Sequence, residues 1–137
     1  MAYSVKFNPY NFHIEASIQG AANVSELKEF INEILIHAKE NHCFFLLVSF
    51  ENAVLTISKA EFHELTNAIT AAIEAHGLKG KRFTNAVIGS QDQELLQRYE
   101  IITRGSNNGI SLFNKFGDAK RWLQESQMDY YLGKRWQ

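Results

Sequence analysis

The sequence predicts a single α/β domain, in which a mixed sheet of about five strands is covered by four helices lying mainly on one face. Segments with a two-residue hydrophobic repeat or an unbroken hydrophobic run alternate with segments whose hydrophobic residues recur every three or four positions. The 137 residues have the length of one domain and contain no linker or internal repeat. Hydrophobic residues make up 45% of the chain and ten residues are Phe, which is enough for a core without disulfides.

The sheet is expected to open with an antiparallel hairpin. Hydrophobic residues alternate over 3–7 and again over 12–18, which predicts two strands with one covered face each. The Asn8-Pro9 sequence between them is typical of a type I turn. The run FFLLVSF at 44–50 predicts a central strand covered on both faces. Two further short strands are expected at 83–89 and 110–113.

The first two helices have recognisable ends. Asn23 with Glu26, and Ser58 with Glu61, have the spacing of capping boxes, in which each side chain binds the backbone N–H of the other residue. Gly77 is expected to end the second helix in a left-handed conformation. The hydrophobic stripes of the two helices run over 27–38 and 62–73.

The last two helices are predicted from their hydrophobic repeat. Ser90 is expected to cap the third helix, with Gln93 completing a capping box. The residues expected to face the core are Leu95, Leu96, Tyr99 and Ile102 in the third helix, and Phe116, Ala119, Trp122 and Leu123 in the fourth. We assign the domain to residues 1–125 and an aromatic C-terminal tail to residues 126–137.

The charge and cysteine content exclude several functional classes. Fourteen basic and fifteen acidic residues give a net charge of −1, whereas a dedicated duplex-DNA-binding protein is usually strongly basic. The single cysteine, Cys43, cannot form an intrachain disulfide, so we expect a cytoplasmic protein. The longest nearly unbroken apolar run covers only 43–50, so no membrane insertion is expected.

Motifs that carry chemistry are missing from the sequence. His37, His42 and Cys43 lie close together, but their spacing matches no metal-binding motif. The turn at 87–90 leads from a strand into a helix, yet it has neither a nucleophile elbow nor a glycine-rich phosphate loop. The basic stretch 79–82 lacks the interleaved aromatic residues of a nucleic-acid site. We therefore expect no catalytic residue, metal or cofactor.

Ser58 has two interpretations. Its capping role accounts fully for a serine at this position. A phosphate at the same position would meet the unpaired N–H groups and the positive dipole end of the second helix, so Ser58 is also a phosphorylation candidate.

Several segments resemble a known family. The order of elements, the helix start T-I-S-K-A-E-F and the sequences Y-E-I-I-T-R and I-S-L-F-N-K-F-G-D-A-K-R-W-L are similar to those of the small SpoIIAA-like proteins. These have the STAS-like fold, named after sulfate transporters and anti-sigma factor antagonists, and the similarity covers roughly residues 10–125. In the antagonists, a partner kinase phosphorylates the serine of an Asp-Ser-x-Gly motif. That serine corresponds to Ser58, but Ile57 and Ala60 replace the Asp and the Gly, so the resemblance implies the fold without an intact phospho-switch motif.

The sequence and this resemblance together predict a non-enzymatic protein-interaction module with a regulatory role. The protein partner is not identified by the sequence, and a second copy of the chain is one candidate. The expected contact residues are Tyr130, Tyr131 and Trp136, which lie beyond the last core helix. One alternative is a carrier of a small apolar ligand or lipid, as in the related lipid-transfer fold. A second alternative is a small enzyme of unrecognised type, which would show perturbed ionisable groups in a deep pocket.

Overall fold

The computed structural model describes residues 2–89 and 93–136, including all side chains except those of 93 and 134–136. These residues form six strands: β1 (Ala2–Asn8), β2 (His13–Ala22), β3 (Phe45–Ser49), β4 (Ala53–Leu55), β5 (Thr84–Ile88) and β6 (Ile110–Phe113). They form four helices: α1 (Val24–Asn41), α2 (Lys59–Ala75), α3 (Gln93–Ile102) and α4 (Phe116–Trp136).

The strands build one mixed sheet in the order β1-β2-β3-β5-β6. β1 and β2 form the predicted antiparallel hairpin, and the other pairs are parallel. β4 was not predicted from the sequence. It pairs with residues 20–22 of β2, beyond the point where β3 leaves that strand. With three residues it is too short for a two-residue repeat to be recognised.

Three of the four helices lie on one face of the sheet, which agrees with the expectation of one main helical face, and α4 covers the other face. Leu46 of β3 aligns with Ile14 and Asn85, and this face lies against α1, α2 and α3. Phe45 points to the opposite face, where its ring lies 5.8 Å from that of Tyr130 in α4. The prediction that the central strand is covered on both faces is confirmed, because residues 45–48 are all buried.

The predicted helix ends in the first half of the chain are confirmed. Asn23 and Ser58 each accept a hydrogen bond from the backbone N–H three residues later, and both capping boxes are complete. Gly77 has a φ of +72°, and the following N–H of Leu78 donates to the Ile73 carbonyl over 2.9 Å. The predicted cap at Ser90 lies outside the described residues.

Two residues expected in the core are exposed. Phe116 is 46% exposed, because it is the first residue of α4 and lies at the sheet edge where β6 has just ended. Ile102 is 61% exposed, because α3 ends there and Thr103 turns into the interior instead. The other residues predicted to face inward in these helices are buried or partly buried.

The fourth helix is longer than expected. Ala119 and Leu123 are fully buried, and Trp122 is partly buried with its ring 5.5 Å from that of Phe113. The helix continues without interruption to Trp136, so the segment assigned to an aromatic tail is helical up to that residue. α4 therefore carries the tail residues across the sheet face that it covers.

Candidate functional site

A groove with a volume of about 1080 Å³ lies at the amino-terminal ends of β3, β5 and β6. We call it the basic groove, because its lining contains more cationic than acidic side chains. The basic residues are Lys81, Arg82 and Arg104, and the acidic residues are Glu100 and Asp129. The aromatic residues are Phe12, Phe44, Phe45, Phe83, Trp122, Tyr130 and Tyr131.

The cations of the basic groove are available to a ligand. Lys81, Arg82 and Arg104 are exposed, and none forms an ion pair within the part of the chain that the structure describes. The Lys81 ammonium lies 5.9 Å from the centre of the Phe44 ring. Glu100 is already engaged, because its Oε2 accepts the Leu112 N–H over 2.7 Å. Asp129 is exposed as well, so the groove has three cations against two carboxylates and a small excess of positive charge.

The C-terminal half of α4 forms one wall of this groove. Tyr130 and Tyr131 both pack against Phe45, at ring distances of 5.8 and 6.4 Å, and each remains about half exposed. The structure thus brings together two of the three residues predicted as an interface. The side chain of the third, Trp136, lies outside the described residues.

Two further apolar residues on the same helix were missed by the sequence reasoning. Met128 is 65% exposed and Leu132 is 45% exposed. They are four residues apart, so they share one side of α4 with Tyr131. The helical repeat could have revealed them, but residues 126–137 had not been assigned to a helix. We call Met128, Tyr131 and Leu132 the α4 patch.

A second, smaller cavity of about 140 Å³ lies between the sheet and α1, α2 and α3. We call it the apolar cavity. Its lining is hydrophobic apart from Asn85, Tyr99 and Asn108. Burial raises the pKa of Tyr99 to about 12, so its hydroxyl stays protonated at neutral pH. The other lining residues are Phe30, Ile31, Ile34, Leu35, Leu46, Val48, Phe50, Ile69, Ile73, Phe83, Val87, Leu96 and Ile110.

Asn85 belongs to the linings of both the basic groove and the apolar cavity. Its Nδ2 donates to the carbonyls of Asn108 and Gly109, over 3.3 and 3.0 Å, which ties β5 to the loop before β6. Its Oδ1 is buried and has no hydrogen-bond partner among the described residues. Asn85, Phe83 and Ile110 line both the basic groove and the apolar cavity, so the two spaces adjoin.

Ser58 lies at an exposed helix start away from both spaces. Its Oγ accepts the Glu61 N–H over 3.2 Å, and its own N–H donates to Glu61 Oε1 over 3.0 Å. This geometry is that of a helix cap. Phosphorylation of Ser58 stays a prediction.

Replacing Ser58 with Ala should lower the free energy of unfolding by about 1 kcal/mol, because the Glu61 N–H loses its partner. Chemical denaturation would measure this change. Ser25→Ala is the matched control, since Ser25 is an exposed serine inside the first turn of α1 rather than at its cap. Equal midpoints for the wild type and Ser58→Ala would contradict the capping role.

A buried polar pair occurs at the start of β2. His13 was expected on the more solvated side of its strand, but it is fully buried. The reason is α4, whose Gln127 donates to the carbonyls of Asn11 and Phe12 and so covers this end of the strand. His13 Nε2 lies 2.8 Å from Glu15 Oε1, and its Nδ1 has no partner among the described residues.

The pKa of Glu15 reflects this environment. Partial burial raises the pKa, but hydrogen bonds from His13 and Asn8 together with the charges of His13 and Lys6 outweigh burial and lower it. The carboxylate is therefore ionised at neutral pH. The pair lacks a neighbouring nucleophile among its hydrogen-bond partners, so it resembles a structural contact rather than a catalytic one.

The three residues that lie close together in the sequence, His37, His42 and Cys43, each have a different local contact. His37 Nδ1 donates to the Glu33 carbonyl, and His42 is an exposed helix cap. Cys43 is buried and its Sγ donates to the Phe12 carbonyl; burial raises the pKa of this thiol. Over residues 2–89 and 93–136, no three His, Cys, Asp or Glu side chains are grouped as a metal site. No helix in those ranges has the length and hydrophobicity needed to cross a membrane.

Comparison with solved structures identifies the fold. An uncharacterised DUF3478-family protein with a SpoIIAA-like fold from Shewanella loihica matches with a TM-score of 0.53 and 15% identity, over 89% of this chain and 92% of that chain. The anti-sigma factor antagonist SpoIIAA in its unphosphorylated form matches with a TM-score of 0.34 and 12% identity, over 76% of this chain and 99% of that chain. Neither a protein-family model nor a curated protein matches. The first of the two structural matches shows that the chain has a SpoIIAA-like α/β fold, which confirms the predicted fold class.

Proposed function

We propose that this chain is a non-enzymatic protein-interaction module that acts through the C-terminal half of α4. The observation that carries the proposal is the α4 patch. Met128, Tyr131 and Leu132 lie on one side of a helix and are each about half exposed or more. A cluster of exposed aromatic and Met side chains is typical of a contact surface.

A second copy of the chain is the partner that we propose to test first. The α4 patch consists of apolar and aromatic side chains that two copies could pack against each other, and the charged Glu125 and Asp129 one turn away would lie at the rim of that contact. A regulatory role for this contact rests on analogy with the SpoIIAA-like fold, and a fold does not by itself define a function.

The surroundings of the candidate nucleophiles support a non-enzymatic role. Ser58 Oγ is used as a helix cap, and Cys43 Sγ contacts backbone carbonyls. An activated nucleophile would need a base within hydrogen-bond reach, and neither side chain has one among its described partners.

Sedimentation of the full chain is expected to show a dimer, and Met128→Glu/Leu132→Glu is expected to be a monomer. The introduced carboxylates would have to be buried in the contact, which costs more than the contact gains. A chain ending at Gln127 should also be a monomer, although it additionally uncovers Phe45. The double variant keeps Tyr130 and Tyr131 on Phe45 and so tests the surface alone.

The matched control is Ile101→Glu/Ile102→Glu, which alters an equally exposed apolar pair on α3. This variant should remain dimeric. A dimer that survives Met128→Glu/Leu132→Glu, or one lost only in the α3 variant, would place the contact elsewhere. A monomeric full chain, as stable as the variants, would overturn the proposed self-association.

A second candidate function is the binding of a small apolar ligand, and the apolar cavity is the observation that favours it. The cavity lies beneath three helices and its walls are almost entirely hydrophobic. Mass spectrometry of the protein purified under non-denaturing conditions would test for a ligand that remains bound.

A further inference from the structure

We propose that the apolar cavity and the basic groove form one binding site for a single-chain amphiphile with an anionic head group. The proposal rests on the second candidate function and names the class of ligand. It follows from three features: the two spaces adjoin, the cavity has the size of a short hydrocarbon chain, and the groove carries cations without an ion-pair partner in the described part of the chain.

The two spaces are direct neighbours, because three residues belong to the linings of both. Phe83 and Asn85 lie at the start of β5, and Ile110 lies at the start of β6. All three residues line both the cavity and the groove. The environment changes at Asn85 from hydrocarbon on one side to charged side chains on the other. A ligand that extends through this junction must therefore be apolar at one end and polar at the other.

The apolar cavity limits the buried part of the ligand. Its volume of about 140 Å³ is close to that of an engineered cavity of about 150 Å³ that binds benzene, so it can hold about six carbon atoms. None of its lining side chains is charged at neutral pH. A charged group would lose its hydration there without gaining a partner. The charged head must therefore remain outside the cavity.

The basic groove determines the sign of the head group. Lys81, Arg82 and Arg104 have no ion-pair partner among the described residues, and a guanidinium group can bind a carboxylate or phosphate with two parallel hydrogen bonds. The two acidic residues of the lining are Glu100, whose Oε2 accepts the Leu112 N–H, and the exposed Asp129, so the cations outnumber the carboxylates. Charge complementarity therefore favours an anionic head over a neutral or cationic one.

Titration with octanoate tests the proposal, with 1-octanol and octylammonium as probes that have the same chain and a different head. Calorimetry should show saturable binding of octanoate, several-fold tighter than that of 1-octanol and at least about 10-fold tighter than that of octylammonium. Raising the salt concentration from about 20 to about 200 mM should weaken the binding of octanoate and leave the affinity for 1-octanol unchanged, because salt screens exposed charges.

Variants separate the contributions of head and chain. The triple variant Lys81→Gln/Arg82→Gln/Arg104→Gln should bind octanoate about 10-fold more weakly than the wild type and should bind 1-octanol with the same affinity. The matched control, Lys39→Gln/Lys59→Gln/Arg121→Gln, removes three exposed cations outside the groove. It should leave the affinities for octanoate and 1-octanol unchanged.

The chain is tested by filling the apolar cavity. Ile73→Phe should abolish binding of both octanoate and 1-octanol, and Leu96→Phe serves the same purpose if the first variant does not fold.

The outcomes distinguish this inference from the function on which it rests. Equal binding of octanoate and 1-octanol, or tighter binding of octylammonium, would overturn the anionic head and leave apolar-ligand binding standing. Binding that is insensitive to both cavity-filling variants would overturn the location. Absence of binding by all three probes would overturn both the inference and the second candidate function.

Discussion

Replacing Phe30 with Ala is expected to lower the free energy of unfolding by about 3–5 kcal/mol. Phe30 is fully buried in α1, where its ring lies 5.7 Å from that of Tyr3 and 6.0 Å from that of Phe50. Truncation removes these aromatic contacts. It also enlarges the apolar cavity, because Phe30 is one of its walls. The lost free energy of burying the ring and the cost of the enlarged cavity therefore add in the loss of stability.

Urea or guanidinium denaturation would measure this change. Tyr10→Ala is the matched control, because Tyr10 is an aromatic residue that is 95% exposed in the turn between β1 and β2. That variant should change the free energy of unfolding by less than about 0.5 kcal/mol. A loss below about 1 kcal/mol for Phe30→Ala would show that α1 does not dock on the sheet in this orientation.

Replacing Leu123 with Ala should lower the free energy of unfolding by about 2–5 kcal/mol. This variant tests the placement of α4 on the opposite face of the sheet. Leu123 is fully buried in the middle of that helix. Phe116→Ala is the control within the same helix, since Phe116 is exposed although it belongs to the same sequence repeat. The Phe116→Ala variant should lose less than about 1 kcal/mol of unfolding free energy.

The comparison of these two variants decides the orientation of α4. Similar losses for Leu123→Ala and Phe116→Ala would mean that the helix is rotated relative to the arrangement described above. A small loss for Leu123→Ala alone would mean that α4 does not cover β3 and β5.

The sequence by itself determined the features that depend on neighbouring residues. The capping boxes at Asn23 and Ser58 and the left-handed Gly77 involve hydrogen bonds between residues at most five positions apart. Once the helix has formed, the spacing of these residues alone decides where such bonds are made. The run 44–50 is similar, because a continuous hydrophobic segment requires cover on both faces wherever it lies.

The tertiary structure decided the features that depend on residues far apart in the chain. Gln127 binds the carbonyls of Asn11 and Phe12, more than 110 positions away, and this contact buries His13 against the sequence pattern. The junction at Asn85 joins the start of β5 to the loop before β6. Neither contact has a local signal.

The same distinction applies to the candidate site. The sequence identified Tyr130 and Tyr131 as surplus aromatic residues, but it could not place them on Phe45 or combine them with Lys81 and Arg104 in one groove. Helix α4 crosses to the second face because β3 and β5 are hydrophobic on both sides and α1, α2 and α3 cover only one. The need to bury that second face, which arises only when the sheet has formed, creates the groove and exposes the α4 patch.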